Sequence, residues 1–267
     1  MTPPAAHLDL DARTLQPHPD DDALRFPDGE VYVQLDLSGV DEAAVVHAGA
    51  PDPNAGMMQL YGVLERLDEE DIPAEVAFTY MPYSRQDAAF APGTLNRARA
   101  ILRRLVDCHG VRAVHAVDSH FSHRAWVDDL PFHGVSALPL LQDRVEMEDV
   151  VVVGPDPGAG RRFGVDAFAK ERSGAETVDV EGELDVDGRN VLVVDDIIAT
   201  GGTMTDAYEK LRAQGAGRVE AAAVHGVLAD GVEQVADMYD ALHLANTVDR
   251  VQADTAVEPL LHEALDL

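Results

Sequence analysis

The segment from Val191 to Thr203 restricts the fold more than any other part of this 267-residue chain. Val191-Leu192-Val193-Val194 is an unbroken apolar run and reads as a strand buried on both faces. Asp195 and Asp196 follow at its expected carboxyl end, where open α/β sheets bind ligands. Ala199-Thr200-Gly201-Gly202-Thr203 then turns into a helix that reaches Gln214 and is stopped by Gly215. A buried strand feeding a glycine turn and a helix belongs to a largely parallel sheet with helices packed on it.

The same alternation runs along the whole chain. Val31 to Leu37, Ala43 to Ala48, Glu75 to Tyr80 and Arg112 to Val117 read as strands. Asn54 to Leu67 has helical spacing through Met57, Leu60, Tyr61, Leu64 and Leu67. Thr94 to Cys108 has it through Leu95, Ile101, Leu102 and Leu105. A second cycle places strands at Val150 to Val153, Val191 to Val194, Val219 to Val224 and Leu242 to Thr247, with a helix near Val232 to Met238. The expected fold is α/β, in two similar halves with mainly parallel central sheets, residues 1–140 and 141–267.

Each step of the Val191–Thr203 motif has a chemical use. Gly201 and Gly202 let backbone amides approach an anion, and the helix N-terminus adds its dipole. Thr200 and Thr203 bring hydroxyl donors. A phosphate seated there would place its sugar back towards Asp195 and Asp196, whose oxygens accept from vicinal hydroxyls. Gly-Gly-Thr alone fits a plain capped turn equally well. The strand and both acids joined to it are what favour a sugar-phosphate site.

The motif resembles the phosphoribosyl-pyrophosphate-binding signature of type I phosphoribosyltransferases, and more of the chain resembles the ribose-phosphate pyrophosphokinase family. Phe26-Pro27-Asp28-Gly29-Glu30 is similar to that family's Phe-x-Asp-Gly-Glu element. Pro82-Tyr83-Ser84-Arg85-Gln86-Asp87 is similar to its nucleotide loop, with Arg-Gln-Asp intact. Val117-Asp118-Ser119-His120 resembles Val-Asp-Leu-His, Gly154-Pro155-Asp156-Pro157-Gly158 resembles Ser-Pro-Asp-x-Gly, and Val224-His225-Gly226 matches a further strand end.

The resemblance implies two phosphoribosyltransferase-like domains, the first with the nucleotide loop and the second with the ribose-phosphate loop. Asp28, Glu30, Arg85, Gln86 and Asp87 would contact ATP. Asp28 and Glu30 would reach the nucleotide of a neighbouring subunit, which implies a homo-oligomer. His120 and Asp156 would hold Mg²⁺ on the ATP phosphates. Lys170 and Arg172 would act from a hairpin, with Ser173-Gly174 as its turn and Glu176 to Val180 as its return strand. Asp195, Asp196, Ala199, Thr200, Gly201, Gly202 and Thr203 would bind ribose 5-phosphate. The implied reaction moves the pyrophosphoryl group of ATP to the sugar's 1-hydroxyl, giving phosphoribosyl pyrophosphate and AMP.

Plainer readings exist for several of these residues. Arg85-Gln86-Asp87 fits a solvated loop, Asp28-Gly29-Glu30 a turn before a strand, and Phe168-Ala169-Lys170-Glu171 a helix end. His115 and His123 read as structural. Two other functions share the Val191–Thr203 site. One is a phosphoribosyltransferase that joins the activated sugar to a nucleobase, and the other is a regulatory subunit without turnover.

Charge narrows the partners. Net charge is −29, from 49 acidic and 20 basic residues, and only Lys170 and Lys210 are lysines. That balance fits a chain solvated in concentrated salt and opposes nucleic acid as a general partner, because a basic footprint is missing. Anionic substrates then need local cations, backbone amides or metal ions. The single cysteine, Cys108, cannot form an intrachain disulfide and fits a reducing interior. No apolar run is long enough to span a membrane, and the start lacks the pattern of a signal peptide, so a cytoplasmic location is expected.

Overall fold

The apolar runs of the sequence become parallel strands in the computed structural model, which describes residues 14–15, 26–50, 52–172, 178–181 and 184–266. The strands are β1 (Thr14–Leu15), β2 (Ala43–Ala48), β3 (Ala74–Tyr80), β4 (Val114–Val117), β5 (Phe132–Val135), β6 (Val151–Gly154), β7 (Asp166–Ala167), β8 (Ala169–Arg172), β9 (Val178–Glu181), β10 (Val191–Ile198), β11 (Val219–Gly226) and β12 (Ala241–Leu244). The helices are α1 (Pro53–Asp68), α2 (Arg97–His109), α3 (Leu138–Gln142), α4 (Pro157–Phe163), α5 (Gly202–Ala213), α6 (Ala229–Met238) and α7 (Glu258–Ala264).

Two compact units result, Met1–Ser136 with Thr247–Asp249 and Val257–Leu267, and Ala137–Asn246 with Arg250–Ala256. The first holds a parallel sheet in the order β1-β2-β3-β4-β5. Met57, Leu60, Leu64 and Leu67 of α1 and Ile101, Leu102 and Leu105 of α2 pack on Val45, Val76, Phe78 and Val114 of that sheet. The second unit holds a parallel sheet in the order β12-β11-β10-β6-β7. β2 and β11 are buried at every position, as expected of parallel strands covered on both faces. Among the described residues, no helix is long and apolar enough to cross a membrane.

Three local expectations change. Val31–Leu37 forms no strand, only a bridge residue at Val31. Its period-2 pattern survives, because Val33, Leu35 and Leu37 pack on the first core while Tyr32, Gln34 and Asp36 are exposed. Second, α2 begins at Arg97 and not at Thr94, because the Asn96 side chain accepts from the Arg99 amide at 2.9 Å and sets the start of the helix. Leu95 therefore lies outside the helix and is exposed.

Third, β10 runs on to Ile198, so Asp195 and Asp196 sit inside the strand and not beyond its end. Its ladder to β11 continues to Ile198–Gly226, whereas its ladder to β6 stops at Val193–Val153. The acids thus lie where one neighbouring strand has ended and the other has not. Ala169–Arg172 is a strand, as the hairpin reading expects and the helix-end reading does not, paired antiparallel with β9 so that Lys170 is in register with Val180 and Arg172 with Val178. The expected Ser173-Gly174 turn and the residues up to Thr177 are outside the described residues.

Candidate active site

The turn after β10 is built by two backbones in contact. Gly201 has φ 81°, a left-handed conformation that favours glycine. A Cβ there would come within 3.0 Å of the Gly231 carbonyl oxygen of α6. A Cβ on Gly231 would fall inside the Ala199 carbonyl oxygen and 2.8 Å from the Thr200 carbonyl carbon. The Val227 amide donates to the Ile198 carbonyl at 2.8 Å, and Gln234 of α6 donates to the Thr205 hydroxyl of α5 at 2.8 Å. Loop 199–201 is thus clamped on α6, with Thr200 and Gly202 left at the surface.

Gly201 is also the N-cap of α5, and among the described residues no side chain caps that helix. Asp52, Asn96 and Asp156 cap α1, α2 and α4, whereas α3, α6 and α7, like α5, have no side-chain cap among the described residues. The first amides of an α-helix have no intrahelical acceptor, so at α5 they remain available to an anion. Ala199, Thr200, Gly201, Gly202 and Thr203 therefore form the kind of turn that the sequence implies.

Behind this turn lies a charge cluster. Arg162 of α4 donates from Nη2 to Asp196 Oδ1 at 2.6 Å and to Asp195 Oδ1 at 3.3 Å. The Asp196 amide also donates to Asp195 Oδ1 at 2.9 Å. Asp196 is buried, and Asp195 and Arg162 are nearly so. Burial, reinforced by the neighbouring Asp196, pushes the Asp195 carboxyl well above the usual carboxylate range, with Arg162 pulling the other way. Asp156 caps α4, its Oδ1 accepting from the Gly158 and Ala159 amides at 2.8 and 3.0 Å. Asp156 also raises the Asp195 pKa, so the expected metal ligand and the expected sugar ligands share one electrostatic neighbourhood.

The nucleotide loop belongs to the other unit. Pro82 packs so closely on Gly49 that no Cβ would fit there. Tyr83 has φ 60°, its hydroxyl donates to Asn54, and the Arg97 guanidinium lies 5.4 Å from its ring centroid. Positive φ at a bulky residue is strained and persists only where the surroundings hold it. Arg85 and Gln86 are exposed at the crest of the loop, whereas Asp87 turns inward and is buried.

His120 follows β4 and is half-buried, after Asp118 at φ 33°. Asp28 and Glu30 sit in an exposed turn, where the Glu30 amide donates to Asp28 Oδ1 at 3.1 Å. Gly29 and Glu30 share a cleft with Asn54 and Met58 of α1, and Asn54 is also the partner of Tyr83. Lys170 and Arg172 occupy alternate positions of β8. Among the described residues, no group of three or more His, Cys, Asp or Glu side chains is arranged to hold a metal ion. The cavity lined by Arg144, Arg218, Glu220 and His243 lies at the amino ends of the strands, the opposite end from the Asp195–Thr203 turn.

Sequence reasoning missed Arg162 and Gly231. Arg161-Arg162 reads as an ordinary basic helix end. Its one signal is an arginine six positions after Asp156 in a chain poor in cations. Gly231 reads as a weak spot in a helix, and only its contact with Ala199 explains it.

Residues 159–258 match the phosphoribosyl transferase domain family. A ribose-phosphate pyrophosphokinase of Methanopyrus kandleri is 34% identical over 259 residues, covering 91% of this chain and 88% of the relative. One from Methanosarcina acetivorans is 32% identical, covering 90% and 88%. The crystal structure of phosphoribosylpyrophosphate synthetase from Mycobacterium smegmatis superimposes with a TM-score of 0.79 at 26% identity, covering 98% of this chain and 92% of that one.

Proposed function

The chain belongs to the ribose-phosphate pyrophosphokinase family, and from that premise we propose that it transfers the pyrophosphoryl group of ATP to ribose 5-phosphate. The observation that carries the reading is the end of β10. Two carboxylates able to accept from sugar hydroxyls lead directly into an uncapped helix N-terminus able to take the sugar's phosphate. A nucleobase transferase needs that site alone. The strained loop presenting Arg85 and Gln86 supports a nucleotide as the second substrate.

In the reaction, the sugar's 1-hydroxyl oxygen bonds to the β-phosphorus of ATP and releases its proton. The bond from that phosphorus to the oxygen bridging to the α-phosphate breaks, and AMP leaves. Such transfers depend on positioning and on cations at the transferring group. Asp195 and Asp196 orient the ribose, and Ala199–Thr203 hold its 5-phosphate. Arg85 and Gln86 bind the nucleotide, with Asp87 as the buried anchor of their loop. Lys170 and Arg172, on alternate positions of β8, would place positive charge on the transferred group.

Mg²⁺ fits the donor chemistry. Asp156 would offer the carboxylate oxygen that a hard cation prefers and His120 a ring nitrogen, each to an ion whose remaining shell phosphate and water oxygens complete. When bound, the ion neutralises charge on the triphosphate. Asp28 and Glu30, in their exposed turn, would complete the nucleotide site of a second copy, so a homo-oligomer is part of the proposal, as is a cytoplasmic location. Nucleic acid and membrane have no place in it.

The test measures AMP release from ATP and ribose 5-phosphate with Mg²⁺ in molar salt, with calorimetric titration of each substrate. Turnover is expected, and Asp195→Asn should abolish sugar binding while keeping nucleotide binding. Background AMP release, or nucleobase-dependent pyrophosphate release that Arg85→Ala leaves untouched, would sink the reading.

A further inference from the structure

Asp87 is held at two atoms by three different residues. Its carboxylate Oδ2 accepts from Arg124 Nε at 2.7 Å. Its backbone carbonyl accepts from Asn96 Nδ2 at 2.7 Å and from Trp126 Nε1 at 3.3 Å. The Asp87 side chain is only 2% exposed, against 41% for Arg124. A carboxylate buried this deeply needs a cation, and Arg124 is the ion-pair partner found for it. Buried ion pairs add little stability over an apolar packing but hold a defined geometry.

The exposed side chains of Arg85 and Gln86 depend on how the loop backbone is held. Arg85 and Gln86 project from the loop. The Gln86 amide donates within it, to the Tyr83 carbonyl at 2.9 Å, and the Gln86 carbonyl accepts from the Ala98 amide at the start of α2 at 3.2 Å. Tyr83, three residues before Gln86, carries the strained φ. A strained, outward loop keeps one shape only when something outside it fixes one of its members. Tyr83 and the Gln86 carbonyl have outside partners too, but Asp87 is the member held by a buried carboxylate and two further side-chain donors. Arg124 follows His120 through two successive turns, Ser119 O to Ser122 N at 2.9 Å and Phe121 O to Arg124 N at 2.8 Å. The ion pair therefore ties the loop after β3 to the turn after β4.

We propose that Arg124 is a positioning residue for the nucleotide loop, setting Arg85 and Gln86 through the buried Asp87 and registering them against the His120 turn. The proposal rests on the kinase reading above and adds a residue that none of the sequence motifs contains. Arg124 itself need touch no substrate.

The experiment compares wild type with Arg124→Met, Arg124→Lys and Trp126→Phe in the full-length protein. Arg124→Met should raise the KM for ATP about tenfold while the KM for ribose 5-phosphate moves less than about twofold. Simple loss of folded protein lowers the maximal rate and moves neither KM, so the split separates positioning from stability. Arg124→Lys, which keeps the charge but not the planar fork, should recover part of the ATP KM. Trp126→Phe removes one donor to Asp87 and keeps the ring on Phe121, 5.0 Å between centroids, so it should fold and give a smaller rise. Unchanged KM values in Arg124→Met and Trp126→Phe, or equal rises for both substrates, overturn the proposal.

Calorimetry with a non-hydrolysable ATP analogue keeps this result separate from the reaction itself. If wild type binds the analogue but turns nothing over, the kinase reading fails. The positioning claim is then decided by the Kd, with about tenfold weakening in Arg124→Met supporting it and no change refuting it. A wild type that binds no nucleotide overturns both.

Discussion

His47 lies at the end of β2 with both ring nitrogens buried and, among the described residues, without a hydrogen-bond partner. Burial lowers its pKa from 6.5 to about 4. The unfolded chain protonates this ring near pH 6.5, whereas the folded chain resists until about 4. Its contribution is therefore neutral above 6.5, and stability is lost as the pH falls between those values. The full loss is about 3 kcal/mol by proton linkage. His47→Leu should lose less stability than wild type between pH 7 and pH 4.5 in urea titrations. A wild-type-minus-variant difference that stays constant over that range would refute the assignment. Arg162 gives a second test at this scale. Removing its guanidinium takes away the cation that opposes the raised proton affinity of the Asp195–Asp196 pair. Arg162→Gln should therefore shift the rise of ribose 5-phosphate binding with pH to higher pH and weaken binding at pH 7 by about tenfold. Calorimetric Kd values from pH 6 to 9 that track wild type would show that the acids need no counter-ion. The strand that carries Asp195 and Asp196 was legible in the sequence, because an unbroken apolar run reads as a buried strand. Arg162 was not, since its role depends on which way a seven-residue helix faces.

Elements place the ribose-phosphate turn through one contact, α6 against the residues after β10. Gly231→Ala puts a methyl group where the Ala199 carbonyl now sits, and backbone on backbone has no flexible end to yield. The turn must move away from α6 and carry the α5 amides with it. Stability should drop by about 1–3 kcal/mol, as in overpacked cores, and ribose 5-phosphate binding should fall by more than about tenfold. A variant with normal sugar affinity would mean that the loop is not clamped. The βα order of this region was readable because each strand is an apolar run and each helix has a stop signal such as Gly215. Its length was not. β10 continues through Asp195 and Asp196 because β11 still offers a pairing edge there, which is long-range information. Val31–Leu37 shows the converse. An alternating pattern guarantees one inward face, but a strand also needs a neighbour with free backbone groups, and no local signal supplies that. For β8 and β9 the local charges pointed both ways, and pairing between the two segments decided for a ribbon.

At the scale of the molecule, parallel sheets buried on both faces were legible, because near-continuous apolar strands have no other stable home. The return of Val257–Leu267 to the first unit, where α7 packs on β5, was not, since nothing in a seven-residue helix names its distant partner. Charge acts on both units at once. With 49 acidic and 20 basic residues, the net charge of −29 is self-repulsive at every separation within reach of the field. Screening shortens that reach from about 10 Å at 0.1 M salt to about 3 Å at 1 M. The unfolded chain spreads the same charges farther apart, so low salt penalises the folded state more. Scanning calorimetry in 0.1 M and 2 M KCl should therefore show Tm rising by about 10 °C, which for a chain of this size corresponds to roughly 3–5 kcal/mol. NaCl at equal ionic strength should give most of the same gain if screening is the cause, whereas Na₂SO₄ would exceed both only if salting-out of apolar surface dominated. A Tm that stays flat from 0.1 to 2 M KCl would mean that the acidic surface is already neutralised by its own arginines, and the salt-solvated reading of the composition would fail.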